Sequence, residues 1–167
     1  MKALILLAEG FEDSEFLYPY YRLQEEDIEV DVAGPEPGTV TGKHGYTAEI
    51  EQNFSSVDAD SYDLLVLPGG KAPETVRLND DALTITETIL ENGKVVGAIC
   101  HGAQVLISAG VLDGRRATCW QGIRDDLKIA GAAYVDEEVA VDGNLITSRC
   151  PSDLPAFSRE IFKALGV

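Results

Sequence analysis

Three short runs of the chain are apolar at every position: "ALILLA" at residues 3–8, "LLVL" at 64–67 and "VVGAI" at 95–99. A strand with one face in water alternates apolar and polar residues, so unbroken runs of this length belong to strands covered on both faces. Segments of helical period stand between them, and that alternation predicts an α/β three-layer sandwich with a mostly parallel sheet. Strands are expected at Lys2–Ala8, Glu29–Ala33, Leu64–Leu67, Val95–Ile99, near Ala117, at Glu138–Val141 and at Leu145–Ser148. Helices are expected at Ser14–Glu26, Asp80–Asn92, His101–Ala109, Ile123–Ala130 and Asp153–Leu165, with Asp153 as an N-cap and Pro19 kinking or shortening the first helix. The stretch Thr39–Glu51, with Gly42 and Gly45 between β-branched residues, reads as a hairpin outside the sheet. At 167 residues and 45% hydrophobic content, the expectation is one domain, 1–167, with a full core.

Charge narrows the partners. Thirteen Lys and Arg stand against 29 Asp and Glu, a formal net charge of −16, and the acids are spread along the chain without a block. Such a field repels phosphate backbones and anionic headgroups, which argues against nucleic acid and membrane partners. Two origins fit the acidity: an ordinary acidic cytoplasmic surface, or adaptation to a salt-rich cytoplasm that screens the repulsion. The apolar run after Met1-Lys2 is short for a signal peptide and ends at Glu9-Gly10-Phe11-Glu12, so it reads as a buried strand. Three cysteines without a pattern give no disulfide framework and point to a reducing cytoplasm.

Reactive groups in a parallel sheet gather where strand carboxyl ends meet helix amino ends. Three such ends are visible: Glu9-Gly10-Phe11-Glu12, Pro68-Gly69-Gly70 and Cys100-His101-Gly102. A nucleophile on a tight strand-to-helix turn needs small neighbours, which Gly97, Ala98 and Gly102 supply around Cys100. A sulfur at a helix N-terminus is expected to have a lowered pKa; the competing reading is a small buried residue in a tight joint. His101 is either the thiol's partner and a proton carrier or an exposed first-turn residue. Gly69 and Gly70 either free their amides for an oxyanion or make a plain turn. Glu12 is either a protonated carboxyl donating to the sulfur or an acidic first-turn residue. No C-x-x-C or H-x-x-x-H spacing suggests a metal, and no G-x-G-x-x-G or Walker sequence suggests a nucleotide cofactor, so neither is expected.

Together, Glu12, "LPGGKAPE" at 67–74, "AICHGAQ" at 98–104 and "DGNLITSRCPSDLPAF" at 142–157 resemble the PfpI family of the ThiJ/PfpI superfamily over nearly the whole chain. The resemblance implies a flavodoxin-like sandwich similar to class I glutamine amidotransferase domains. It implies Cys100 as elbow nucleophile, His101 as its partner, Glu12 beside the sulfur, and the amides of Gly70 and His101 as the oxyanion hole. Glu74 falls where PfpI-like peptidases carry a glutamate that reaches the histidine of a neighbouring subunit, which implies a dimer or a hexamer built of dimers. Trp120 falls where the peptidase branch carries a tyrosine; an indole has no phenol proton but can wall the pocket with Gly69. Cys119 and Cys150 read as inert thiols, with a regulatory Cys119–Cys100 disulfide as the other option. The implied activity is that of a cysteine hydrolase acting on peptides or on glyoxal-derived adducts of thiols and amines. The alternative is a redox-sensing stress protein or holdase that uses Cys100 as its oxidation sensor.

Overall fold

A computed structural model describes residues 1–167. The chain folds in the order β1 (Lys2–Leu6), α1 (Asp13–Glu25), β2 (Glu29–Gly34), β3 (Gly38–Thr41), β4 (Thr47–Ile50), β5 (Gln52–Asn53), β6 (Leu64–Leu67), α2 (Ala72–Val76), α3 (Asp80–Glu91) and β7 (Val95–Ile99). It continues with α4 (Ala103–Ala109), β8 (Arg116–Ala117), α5 (Arg124–Ile129), β9 (Ala133–Tyr134), β10 (Ala140–Asp142), β11 (Leu145–Ser148) and α6 (Leu154–Leu165). The main sheet runs β10-β11-β7-β6-β1-β2-β5, and only β10 is antiparallel, in the hairpin with β11.

The all-apolar runs lie at the centre. β6 and β7 are buried at every position, and pair in parallel from Leu64↔Val95 to Leu67↔Ala98. Burial on both faces needs helices on both faces: α1 and α6 pack together on one side, and α3 and α4 on the other. Gly97 shows how close the α6 layer comes, because a Cβ there would meet Ile161 Cδ1 at 2.8 Å and Phe157 Cζ at 2.9 Å. In order along the chain, the main parallel strands β1, β2, β6, β7 and β11 lie in space as second, first, third, fourth, fifth. The order therefore reverses between β1 and β6, and a flavodoxin-like sheet opens a crevice at that point beyond the strand carboxyl ends.

Several local expectations need correction. The strand near Ala117 is β8, which pairs with β9 outside the main sheet. Pro19 does not break α1: the helix runs on through it, with the proline buried on the inward face. Asp153 precedes α6 but does not cap it, since its carboxylate accepts from Arg149 Nε at 2.8 Å and from the Arg149 amide at 3.2 Å. The hairpin β3–β4 does stand apart from the sheet. At the other end of the strands, Met1, Lys94, Ala164 and Leu165 line one small cavity, so the first and last parts of the chain meet far from the crevice.

Candidate active site

The crevice is a cleft of about 430 Å³ lined by Glu12, Glu15, Lys43, Gly70, Lys71, Glu74, Cys100, His101, Trp120 and Pro151. Six stretches of chain deliver these groups. Cys100 leaves β7 at φ +59°, one of two non-glycine residues with positive φ, and opens a 3-10 turn, Cys100–Gly102, before α4. That left-handed backbone is strained for a residue with a Cβ and aims the side chain above the sheet. The turn fits because Gly102 lies against β6: a Cβ there would stand 2.1 Å from the Leu67 carbonyl oxygen. The Trp120 amide donates to the Cys100 carbonyl at 3.3 Å and so hangs the indole beside the elbow, 6.3 Å from the His101 ring.

The carboxyl beside the sulfur is Glu15, not Glu12. Glu15 is fully buried on the first turn of α1, and its Oε2 accepts from the Gly69 amide at 2.7 Å. Its Oε1 is buried without a hydrogen-bond partner. Burial, strengthened by the charge of Glu12, pushes the carboxyl up to about 8, so it is protonated at neutral pH. The Glu15 and Cys100 side chains hydrogen-bond to each other, so the proton of the neutral carboxyl is available to the sulfur. Glu12 points elsewhere: its carboxylate pairs with Lys43 Nζ at 3.0 Å and His44 Nε2 at 3.4 Å, and accepts from Ser14 Oγ at 3.2 Å. These partners come from the hairpin tip, which Asp13 clamps by accepting from the amides of His44 at 2.9 Å and Tyr46 at 2.8 Å.

The thiol does not have the lowered pKa expected of a helix N-terminus. Burial pushes it up, the negative charge that Glu15 carries when ionised adds to this, and the His101 amide opposes both. Cys100 is only 8% exposed and a 3-10 turn separates it from α4, so desolvation outweighs the helix dipole. The nearest titratable partner of the thiol besides Glu15 is His101, whose Nδ1 lies 3.5 Å from the sulfur. Burial holds the imidazole below its ordinary pKa, although Glu74 pulls it up, so the ring is neutral near pH 7 and able to take the thiol proton.

Glu74 lies on the first turn of α2 and lines the same cleft as His101 within one chain. Gly70, at φ +80°, has a Cβ position 2.4 Å from the Glu12 nitrogen, so only glycine fits there. The Gly69 amide is taken by Glu15, whereas the Gly70 amide donates to no protein group and is free to face a ligand. Cys119 is fully buried, its thiol donates to the Trp120 carbonyl at 3.2 Å, and burial pushes it up to about 12. Cys100, Cys119 and Cys150 are all free thiols. Sequence reasoning missed Glu15, Lys43, Lys71 and Pro151. The signal for Glu15 was its place one helical turn after Glu12, at the helix end that faces the strand carboxyl termini.

Fold and site define an α/β protein with a cysteine on a strained strand-to-helix elbow, a neutral histidine beside it and a protonated carboxyl beneath it. The chain belongs to the DJ-1/PfpI family, whose model matches residues 1–164. It is similar to Deglycase TK1284 of Thermococcus kodakarensis, 56% identical over 99% of both chains. It is also similar to Deglycase PfpI of Pyrococcus furiosus, 53% identical over 99% of both chains. The putative cysteine protease YraA of Bacillus subtilis is 42% identical over 98% of both. Among solved structures, a two-domain protein of Anabaena variabilis with DJ-1/ThiJ/PfpI-like and ferritin-like domains superposes with a TM-score of 0.97 at 40% identity. That match covers 99% of this chain and 48% of the Anabaena chain, about half its length. No helix is long and apolar enough to cross a membrane.

Proposed function

We propose that the protein is a cysteine-dependent hydrolase that removes glyoxal-derived adducts from thiols and amines. The observation that carries this reading is the elbow itself: Cys100 at φ +59° with His101 Nδ1 at 3.5 Å, lining one cleft with Gly70, whose amide is free. His101 takes the thiol proton and the sulfur attacks the carbon that holds the hydroxyl and the amine of an aminocarbinol. The C–N bond breaks, and the amine leaves with the proton returned by His101. For a methylglyoxal adduct the product on sulfur is a hemithioacetal. A proton shift between its two oxidised carbons makes a thioester, which water cleaves to a hydroxy acid and the free thiol. The amides of Gly70 and His101 receive the negative oxygen that forms when water attacks the thioester carbonyl. The names of the relatives from Thermococcus and Pyrococcus support this substrate class.

Peptide cleavage uses the same attack on a carbonyl carbon and is the second reading, supported by the name of the Bacillus relative. Glu74 completes the site by orienting His101, either within one chain or from the next subunit of a dimer or hexamer. Turnover assays on methylglyoxal adducts of N-acetylcysteine and on a peptide should show release from the adduct that Cys100→Ser abolishes. If Glu74 is shared between subunits, mixing inactive Cys100→Ser with Glu74→Ala under subunit exchange restores about a quarter of the activity, the share of junctions left intact in a one-to-one mixture. Adduct hydrolysis that survives Cys100→Ser, or peptide turnover alone, overturns the deglycase reading.

A further inference from the structure

Cations are scarce in this chain, and nearly every lysine is already neutralised. Lys2, Lys43, Lys94, Lys128 and Lys163 each have a carboxylate oxygen within reach, at 2.9, 3.0, 2.8, 3.5 and 3.4 Å. Lys71 is the sixth lysine; it forms no salt bridge, and it lines the catalytic cleft. Its place there is fixed by the fold. The Lys71 amide donates to the Gly10 carbonyl at 2.8 Å, and its stem lies on Gly10, where a Cβ would meet Lys71 Cβ at 3.1 Å and Cδ at 3.7 Å. The residue follows directly on Gly70, which lines the same cleft and whose amide has no protein acceptor. An unpaired ammonium in a molecule of net charge −16 is a position that attracts an anion from solution.

We infer that Lys71 is a specificity residue that binds a carboxylate carried by the substrate close to the carbon Cys100 attacks. Within the cleft Lys43 is balanced by Glu12 and Glu15 is protonated, so Lys71 and Glu74 are the charges left over. One ammonium pairs with one carboxylate, and Glu74 on the same cleft weakens the attraction of any anion in proportion to its charge. Substrates are then adducts on free amino acids, short peptides or similar small acids, whose carboxylate lies a few bonds from the adduct. Adducts on the uncharged interior stretches of a protein lack that group. This inference rests on the deglycase reading for its substrate class, but the anion subsite can be tested without any turnover.

Iodoacetate and iodoacetamide place the same carbon before the sulfur and differ in charge alone. The ratio of their alkylation rates at Cys100, followed by mass spectrometry of the Cys100 peptide, reads the preference for an anion. The iodoacetamide rate of each variant normalises for the sulfur's own nucleophilicity. Lys71→Met, which keeps the stem, should lower the iodoacetate-to-iodoacetamide ratio by about threefold, the size a solvent-exposed ion pair supports. Lys71→Arg should keep the wild-type ratio, and added salt should shrink the difference. Lys163→Met removes the same charge far from the cleft and should change the ratio little. An unchanged ratio in Lys71→Met, or an equal fall in Lys163→Met, overturns the subsite. Loss of adduct turnover in the wild type would overturn the deglycase reading while leaving this ratio to stand or fall by itself.

Discussion

Glu15 and Cys100 form a buried acid pair over which two protons are distributed, and the order in which they leave sets the reactivity of the site. In Glu15→Gln the amide oxygen keeps the bond to the Gly69 amide and the NH₂ group still faces the sulfur, but no negative charge can form. The variant should alkylate with iodoacetamide at close to the wild-type rate at pH 7, where Glu15 is neutral, and faster than wild type at pH 9, where the variant lacks the Glu15 charge that raises the thiol. Stability moves the other way with pH in the wild type. A carboxyl raised from 4.5 to about 8 binds its proton more tightly folded than unfolded, so its contribution is full below pH 4.5 and is lost as pH rises through 8. Urea midpoints should therefore fall for wild type between pH 5 and 8.5 and fall less for Glu15→Gln, while a parallel decline would place the proton elsewhere. The elbow cysteine, its histidine and Gly70 were legible in the sequence because each sits in a short motif whose chemistry requires that spacing. Choosing between Glu12 and Glu15 was not possible there, since both are acids near the start of α1. What separates them is burial, at 7% and 0% exposure, and the hairpin tip that swings Lys43 and His44 onto Glu12.

Among the elements, the strand-to-helix joints carry the closest approaches. Gly102→Ala would drive a Cβ into the Leu67 carbonyl, a rigid backbone atom at 2.1 Å. Its cost should reach about 3 kcal/mol or more, the upper end for overpacking, because neither β6 nor the elbow can move without the other. Gly114→Ala is the control: its φ is +73° but its Cβ site is open, so it should cost about 1 kcal/mol, from the backbone alone. Urea unfolding of the two variants checks both values, and equal costs would show that the joint yields. The central strands were readable because two-sided burial leaves an apolar run that no helix pattern imitates. The pieces that escaped were short: α2 has five residues, β5 and β9 two each. Elements of that length have no period to detect and are held by the loops around them. Pro19 misled for a related reason, since packing of its ring into the core outweighs the single hydrogen bond it removes from α1.

At the level of the whole molecule, the site draws on residues from Glu12 to Pro151, and those segments meet only when the parallel sheet is complete. Cys100 accessibility and global unfolding should thus change together in denaturant. The cavity that Met1 shares with Ala164 and Leu165 lies at the opposite ends of the strands from the cleft. A partner domain fused to either chain end would emerge away from Cys100. The same closeness of the ends allows the polypeptide to be re-opened elsewhere. A circular permutant that links residue 167 to residue 1 through a short glycine-serine bridge and begins anew at the exposed turn around Gly114 should keep wild-type alkylation of Cys100.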